Sequence, residues 1–141
     1  MLSGKYFVSM DERGRVRLPA KFRNDEVLAN INNIKLTAGY DNCVYAFTPG
    51  NWEKFLLKQS ENQKSEEEKR AIMRLLTADS KDSNIDRQGR MPVPQELRDL
   101  LGLGREIYII GVLDHFELWD KASWEAYYRN TRNLLGSNGA S

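Results

Sequence analysis

Apolar residues fall along the chain in two matching sets, each made of short runs followed by a stripe at helical spacing. Ile34 to Ala38 and Glu106 to Ile110 are short, rich in β-branched residues and bounded by Gly39 and Gly111, so both predict strands. Val44 to Phe47 and Phe116 to Trp119 follow as their partner strands. Thr48-Pro49 and Asp120 then mark helix starts. After them Trp52, Phe55 and Leu56 in one set, and Trp124, Tyr127 and Tyr128 in the other, recur on one helical face. Stripes of this kind belong to a core or a subunit interface far more often than to a cofactor site.

The matching extends to a gapless internal repeat. Asp11-Glu12-Arg13-Gly14-Arg15-Val16-Arg17-Leu18-Pro19-Ala20-Lys21-Phe22-Arg23 aligns on Asp86-Arg87-Gln88-Gly89-Arg90-Met91-Pro92-Val93-Pro94-Gln95-Glu96-Leu97-Arg98, with an Asp, a Gly, an Arg, a Pro and a final Arg identical in both copies. Farther on, Gly39 pairs with Gly111, Phe47 with Trp119, and Trp52-Glu53 with Trp124-Glu125. The first copy carries extra residues, which the alignment places in the Asn-rich stretch Ala29 to Asn33.

Asp-x-x-Gly is a tight-turn pattern, with Asp favoured at the first position and a left-handed Gly at the fourth completing a hairpin bulge, so strands should flank it and each turn is expected to be the arginine-bearing tip of a β-hairpin. Pro19 and Pro94 suit the first turn of a short helix, because their missing N–H would be unpaired there anyway, and Gly102 is a natural stop. Each unit therefore reads as strand, turn, strand, short helix, strand, turn, strand and longer helix, an α+β pattern. Ser65, with Glu68 three residues later, predicts the start of a helix whose apolar face is Ile72, Met73, Leu75 and Leu76. The expected division is a first module over 1–58, a connecting helix within 59–80, a second module over 81–135 and a disordered tail over 136–141.

The chain has 141 residues, of which 40% are hydrophobic and 29% charged, a globular profile whose length suits one domain or two intimately packed halves. Aromatic residues make up 10%, so the core should rely on large rings, some of them buried between subunits. No stretch approaches the roughly 18 apolar residues of a membrane span, and Met1-Leu2-Ser3-Gly4-Lys5 lacks the apolar core of a signal peptide, so a cytoplasmic location is expected. One cysteine, Cys43, and one histidine, His115, allow neither an internal disulfide nor a Cys/His zinc cluster within one chain, and no metal or cofactor is expected. Cys43 adjoins the apolar run Val44 to Phe47 and should be buried packing.

The formal net charge is only +1, but its distribution is uneven. Residues 11–23 hold five basic and two acidic residues, and residues 86–98 hold three and two, so positive charge gathers in the two repeated segments. Arginines at the tip of a tight turn suit a DNA groove, because a guanidinium can grip a phosphate or the O6/N7 edge of guanine with two hydrogen bonds. Arg15 and Arg90 are the prime candidates. Arg13, Arg17, Lys21 and Arg87 are candidates for phosphate contacts that set position.

A carboxylate facing phosphate would be repelled, so Asp11 and Asp86 are read, with Gly14 and Gly89, as organising the turns. Each Asp can accept backbone N–H groups two residues on, or hold the arginine four residues later in one rotamer. A surface Asp–Arg ion pair alone contributes only about 0–1 kcal/mol, a weak reason for both copies to keep the same residues. Asp11 with Asp86 could in principle form a catalytic carboxylate pair, but each sits on a cation-rich turn, and the chain carries none of the usual nucleotide-binding, esterase or metalloprotease motifs. Catalysis is not expected, nor is a small-molecule substrate. One subunit with two such turns carries little positive charge, so several subunits would have to engage neighbouring DNA segments together.

Over nearly its whole length the sequence resembles the MraZ family, whose two Asp-x-x-x-Arg motifs lie in tandem modules of the same superfamily as AbrB-like transition-state regulators and antitoxins. The likeness is carried by Asp11 to Arg15 with Leu18 to Arg23, by Asp86 to Arg90 with Val93-Pro94 and Leu97-Arg98, and by Gly111 with Glu117-Leu118-Trp119. The resemblance implies two pseudo-symmetric, barrel-like β modules of the swapped-hairpin AbrB type with flanking helices, assembled as a ring-shaped homo-oligomer. It further implies a nucleoid-associated repressor that binds direct repeats in double-stranded DNA upstream of the division and cell-wall gene cluster, its own promoter included. An antitoxin-like module whose main partner is a protein is the alternative. Pro92 departs from the pattern: it stands where an ordinary strand residue is expected and removes a ladder donor, which puts the pairing of the second turn's strand in question. The second copy is also less basic, so Arg15 should matter more than Arg90.

Overall fold

A computed structural model describes residues 1–139, with side chains described through residue 136. The first repeat runs β1 (Leu2–Ser9), β2 (Arg15–Arg17), α1 (Ala20–Arg23), β3 (Asn33–Ala38), β4 (Val44–Phe47) and α2 (Pro49–Glu61). Helix α3 (Glu66–Ala78) leads to the second repeat: β5 (Lys81–Asn84), β6 (Arg90–Pro92), α4 (Gln95–Leu101), β7 (Glu106–Leu113), β8 (His115–Asp120) and α5 (Lys121–Thr131). A final helix α6 (Asn133–Gly139) follows. It takes in part of the stretch expected to lack structure, because the chain leaves α5 still in helical conformation, with Arg132 at φ −55 and ψ −37. Residues 140 and 141, also in that stretch, lie outside the described residues.

Strands do flank each Asp-x-x-Gly turn, but they pair across the repeats and not with each other, so neither turn closes the hairpin expected of it. β1 pairs in antiparallel register with β7 of the other repeat, from Leu2 opposite Leu113 to Ser9 opposite Glu106. β2 pairs with β6, Arg15 facing Pro92, Val16 facing Met91 and Arg17 facing Arg90. β5 likewise joins β3 of the first repeat. The result is a six-stranded antiparallel sheet in the order β1-β7-β8-β4-β3-β5, with the β2–β6 ribbon as a separate two-stranded sheet. β7 runs on through Gly111 instead of ending there: Gly111 faces Gly4 of β1, and a Cβ on Gly111 would stand 2.4 Å from the backbone nitrogen of Ser3. The missing side chain is what lets the two backbones close.

Alternation along the strands sorts the core onto the two faces of this sheet. Ile34, Leu36, Val44, Ala46, Ile107, Ile109, Phe116 and Leu118 meet Val16 and Met91 of the ribbon, Leu18 and Val93 just after its strands, and Phe22, Leu97 and Leu101 of the short-helix regions. Cys43, Tyr45, Phe47 and Trp119 face the other way, onto Trp52 of α2, Leu76 of α3 and the half-buried Trp124 and Tyr127 of α5. Tyr128, also in the α5 stripe, is 46% exposed. At about 1.5–3 kcal/mol per buried large apolar side chain, Val16, Leu18, Met91 and Val93 alone anchor the ribbon firmly to the sheet.

Local signals set the helix ends. Thr48 caps α2 by accepting the Asn51 N–H, and Ser65 caps α3 by accepting the Glu68 N–H. Gly102 ends α4 in the left-handed region at φ +63. Pro19 and Pro94 stand one residue earlier than the first-turn reading, at the N-caps of α1 and α4 in extended conformation. No helix among the described residues is long and apolar enough to cross a membrane.

Candidate nucleic-acid interface

The two repeated turns share one geometry. In the first, the Gly14 N–H donates to the Asp11 carbonyl at 3.0 Å and the Asp11 N–H to the Arg15 carbonyl at 2.9 Å, with Gly14 at φ +75. One oxygen of the Asp11 carboxylate accepts the backbone N–H groups of Arg13 and Arg15, both at 2.9 Å. The other accepts Nε of Arg15 at 2.8 Å. The second turn repeats this atom for atom: Asp86 accepts the N–H groups of Gln88 and Arg90 at 2.9 Å and Nε of Arg90 at 2.9 Å, with Gly89 at φ +81.

These bonds decide the charge state. The backbone N–H of Arg15, with its guanidinium and the Arg13 N–H, holds the Asp11 carboxyl below its usual range despite some desolvation. Arg90 and Gln88 do the same for Asp86. Both carboxylates are thus ionised and fully engaged within their own turns, a poor arrangement for general acid–base work.

Each arginine spends only its Nε on the aspartate; among the described residues its terminal nitrogens donate no hydrogen bond within the protein. Both side chains stay partly open, at 22% for Arg15 and 32% for Arg90. The turns are far apart in sequence, yet Arg13, Arg15 and Arg90 line a single open cleft of about 470 Å³ together with Asp11 and Glu12. Alternation on the ribbon explains the convergence: Val16 and Met91 are buried at 0% exposure, so Arg15, Arg17 and Arg90 emerge on the outer face.

Pro92 ends β6 without harm to the ribbon. The Val93 N–H donates to the Gly14 carbonyl at 2.8 Å, just outside the Arg15–Pro92 pair, so that pair is of the non-hydrogen-bonded kind and the Pro92 nitrogen points away from the ladder. Leu18 N–H to the Gly89 carbonyl at 2.8 Å makes Arg17–Arg90 a pair of the same kind, in which side chains approach most closely. Like charges directly opposed on an antiparallel ladder are destabilising, and a bound anion would relieve them.

The other candidates lie farther out. Arg87 sits on the second turn, bordering a separate hollow with Arg23, and Lys21 lies on α1, where its charge acts on Asp25. The model of one protein family, described as "MraZ protein, putative antitoxin-like", matches residues 1–75 and again residues 76–137.

This chain belongs to the MraZ family. Among its MraZ relatives, one from Acetivibrio thermocellus is 39% identical over 90% of this chain and 86% of its own length. One from Roseiflexus castenholzii is 35% identical over 89% of this chain and 85% of its own, and one from Treponema denticola 33% identical over 92% and 89%. Each of these relatives carries the name "Transcriptional regulator MraZ".

Two further residues at this face of the MraZ chain were not singled out from the sequence. Arg23 and Arg98, the last identical pair of the repeat, lie half-buried against the turns, and their repetition was the signal available. On the opposite face of the sheet, Glu117 joins His115 Nε2 at 3.0 Å and accepts Trp119 Nε1 at 2.9 Å. Cys43 beside them is fully buried, and that burial, followed by the Glu117 charge, pushes its thiol far up, so it stays neutral.

Proposed function

We propose that this chain is a sequence-specific DNA-binding transcriptional regulator. The observation that carries the reading is the outward row of Arg15, Arg17 and Arg90 on a two-stranded ribbon, with Arg13 in the same cleft. A two-stranded β-ribbon fits the major groove of B-form DNA, where a guanidinium can read guanine. The name shared by the relatives agrees with this use. Arg15 and Arg90 are assigned to base edges, and Arg13, Arg17, Lys21 and Arg87 to phosphates. Asp11, Gly14, Asp86 and Gly89 hold the turns in the shape that presents them.

Following the family resemblance, the protein acts in the cytoplasm on the nucleoid. There it represses the division and cell-wall gene cluster and its own promoter as a ring-shaped homo-oligomer on direct repeats. The module boundaries proposed from the repeat, 1–58 and 81–135 about a connecting segment 59–80, belong to the same reading. Self-association is supported by half-exposed apolar side chains, Phe7 at 51% on the edge strand β1 and Leu113 at 59% at the end of β7. A closed ring meets tandem sites in one orientation, whereas a two-fold dimer would favour palindromes.

The test is a binding titration of the full chain on its own upstream DNA across several salt concentrations, comparing wild type with Arg15→Ala and Arg90→Ala. Losing a base contact should weaken cognate binding by roughly one to two orders of magnitude and relax sequence preference. Losing a phosphate contact should flatten the slope of log affinity against log salt by about 0.9. Arg15→Ala should be the more damaging, since the first turn carries more cations. Affinity and preference unchanged in both variants would remove the ribbon from the interface.

A further inference from the structure

Each turn's glycine is covered by an arginine from the other repeat. A methyl group on Gly14 would stand 2.6 Å from Cζ of Arg98, and one on Gly89 would stand 2.6 Å from Nε of Arg23. Arg98 Nε donates to the Val93 carbonyl at 2.9 Å, and the Val93 N–H donates in turn to the Gly14 carbonyl. The mirror arrangement runs from Arg23 Nε to the Leu18 carbonyl at 3.3 Å and from the Leu18 N–H to the Gly89 carbonyl. Guanidinium, ribbon strand and turn thus form a closed link in each half.

We propose that Arg98 and Arg23 are crossed positioning residues: Arg98 holds the first turn and so aims Arg15, while Arg23 holds the second turn and so aims Arg90. The inference rests on the DNA-binding reading for its consequence, but its geometry stands apart from it. A turn tied to the ribbon only through its glycine backbone can swing. A flat guanidinium laid on that glycine, with its Nε fixed to the neighbouring strand, removes the swing before DNA arrives and lowers the ordering cost of binding. The crossing accounts for two identities of the repeat at once, since the glycine leaves the space that the last arginine of the opposite copy fills.

Arg98→Lys and Arg23→Lys separate aiming from charge, because lysine keeps the cation and loses the planar group. In the full chain without DNA, Arg98→Lys should speed hydrogen exchange about tenfold in a peptide spanning Asp11 to Arg15 and leave one spanning Asp86 to Arg90 unchanged. Arg23→Lys should do the reverse. Equal loosening of both turns by either variant, or of neither, overturns the crossed assignment. On the protein's own upstream DNA, Arg98→Lys should weaken binding roughly fivefold to tenfold with the salt slope kept. That loss should vanish in an Arg15→Ala background and persist in an Arg90→Ala background. Full affinity in Arg98→Lys, or a loss that adds to Arg15→Ala, would make Arg98 a bystander or an independent phosphate contact and overturn the aiming role. If the exchange pattern holds while Arg15→Ala and Arg90→Ala bind like wild type, the DNA-binding reading fails and the brace stands.

Discussion

Gly14→Ala puts a number on the contact between the repeats. At φ +75, a residue with a Cβ costs about 1–2 kcal/mol relative to glycine. The new methyl would also lie 2.6 Å from Cζ of Arg98, well inside the ~3.5–4.0 Å of ordinary carbon contact, so the guanidinium must retreat by roughly 1 Å. That movement breaks the 2.9 Å bond from Arg98 Nε to the Val93 carbonyl, worth about 0.5–1.5 kcal/mol. The expected total is about 1.5–3.5 kcal/mol. Gly102→Ala is the matched control: its φ is +63 and nothing lies within 4 Å of an added methyl, so only the backbone cost of about 1–2 kcal/mol applies. Guanidinium denaturation followed by tryptophan fluorescence, at one protein concentration because association shifts apparent stability, gives both values. Equal losses for Gly14→Ala and Gly102→Ala would refute the claim that the arginine contact stabilises the turn.

Backbone N–H groups of Arg15 and Arg90, opposed by some desolvation and aided by their guanidinium groups, hold Asp11 and Asp86 below the ordinary 3.8. The turn bonds should therefore be fully present above that value and lost as pH falls through the lowered ones. Carboxyl-carbon NMR titration checks this, and midpoints at or above 3.8 for both residues contradict it. Burial alone would push His115 down, but its hydrogen bonds to Glu117 and Asp114 prevail and hold it above 6.5. Its stabilising contribution should be complete below pH 6.5 and fade as pH rises through the raised value. His115→Gln should flatten the stability profile there, and an unchanged profile would count against the network. Phe22, 1% exposed and set edge-on to Tyr6 at 5.3 Å, should cost about 3–5 kcal/mol as Phe22→Ala, and a loss under about 1 kcal/mol by denaturation would place it outside the core.

Much of the local architecture was legible because it is made by residues close in sequence. Asp11 and Gly14, three apart, define a turn whose bonds all close within five residues, and Ser65 caps α3 through an N–H three residues on. The aromatic stripes of α2 and α5 follow the helical period and pack on the sheet at Trp52, Trp124 and Tyr127. Reading the strand that ends at Ile110 as bounded by Gly111 failed for a non-local reason. A glycine reads as a boundary in isolation, and only the backbone of β1 arriving 2.4 Å from its virtual Cβ turns it into an interior strand position.

What the sequence by itself determined, then, is the set of parts: two turns of one chemistry, short helices that each follow a proline, and strands with a defined inner and outer face. Which strand meets which was decided only in three dimensions, because backbone donors and acceptors are the same at every residue and carry no address. Register follows from burying Val16 against Met91 and from closing Gly4 on Gly111. That cross-repeat pairing brings Arg15, Arg17 and Arg90 onto one face, turns the Pro92 nitrogen away from the ladder, and lays each final arginine on the other copy's glycine.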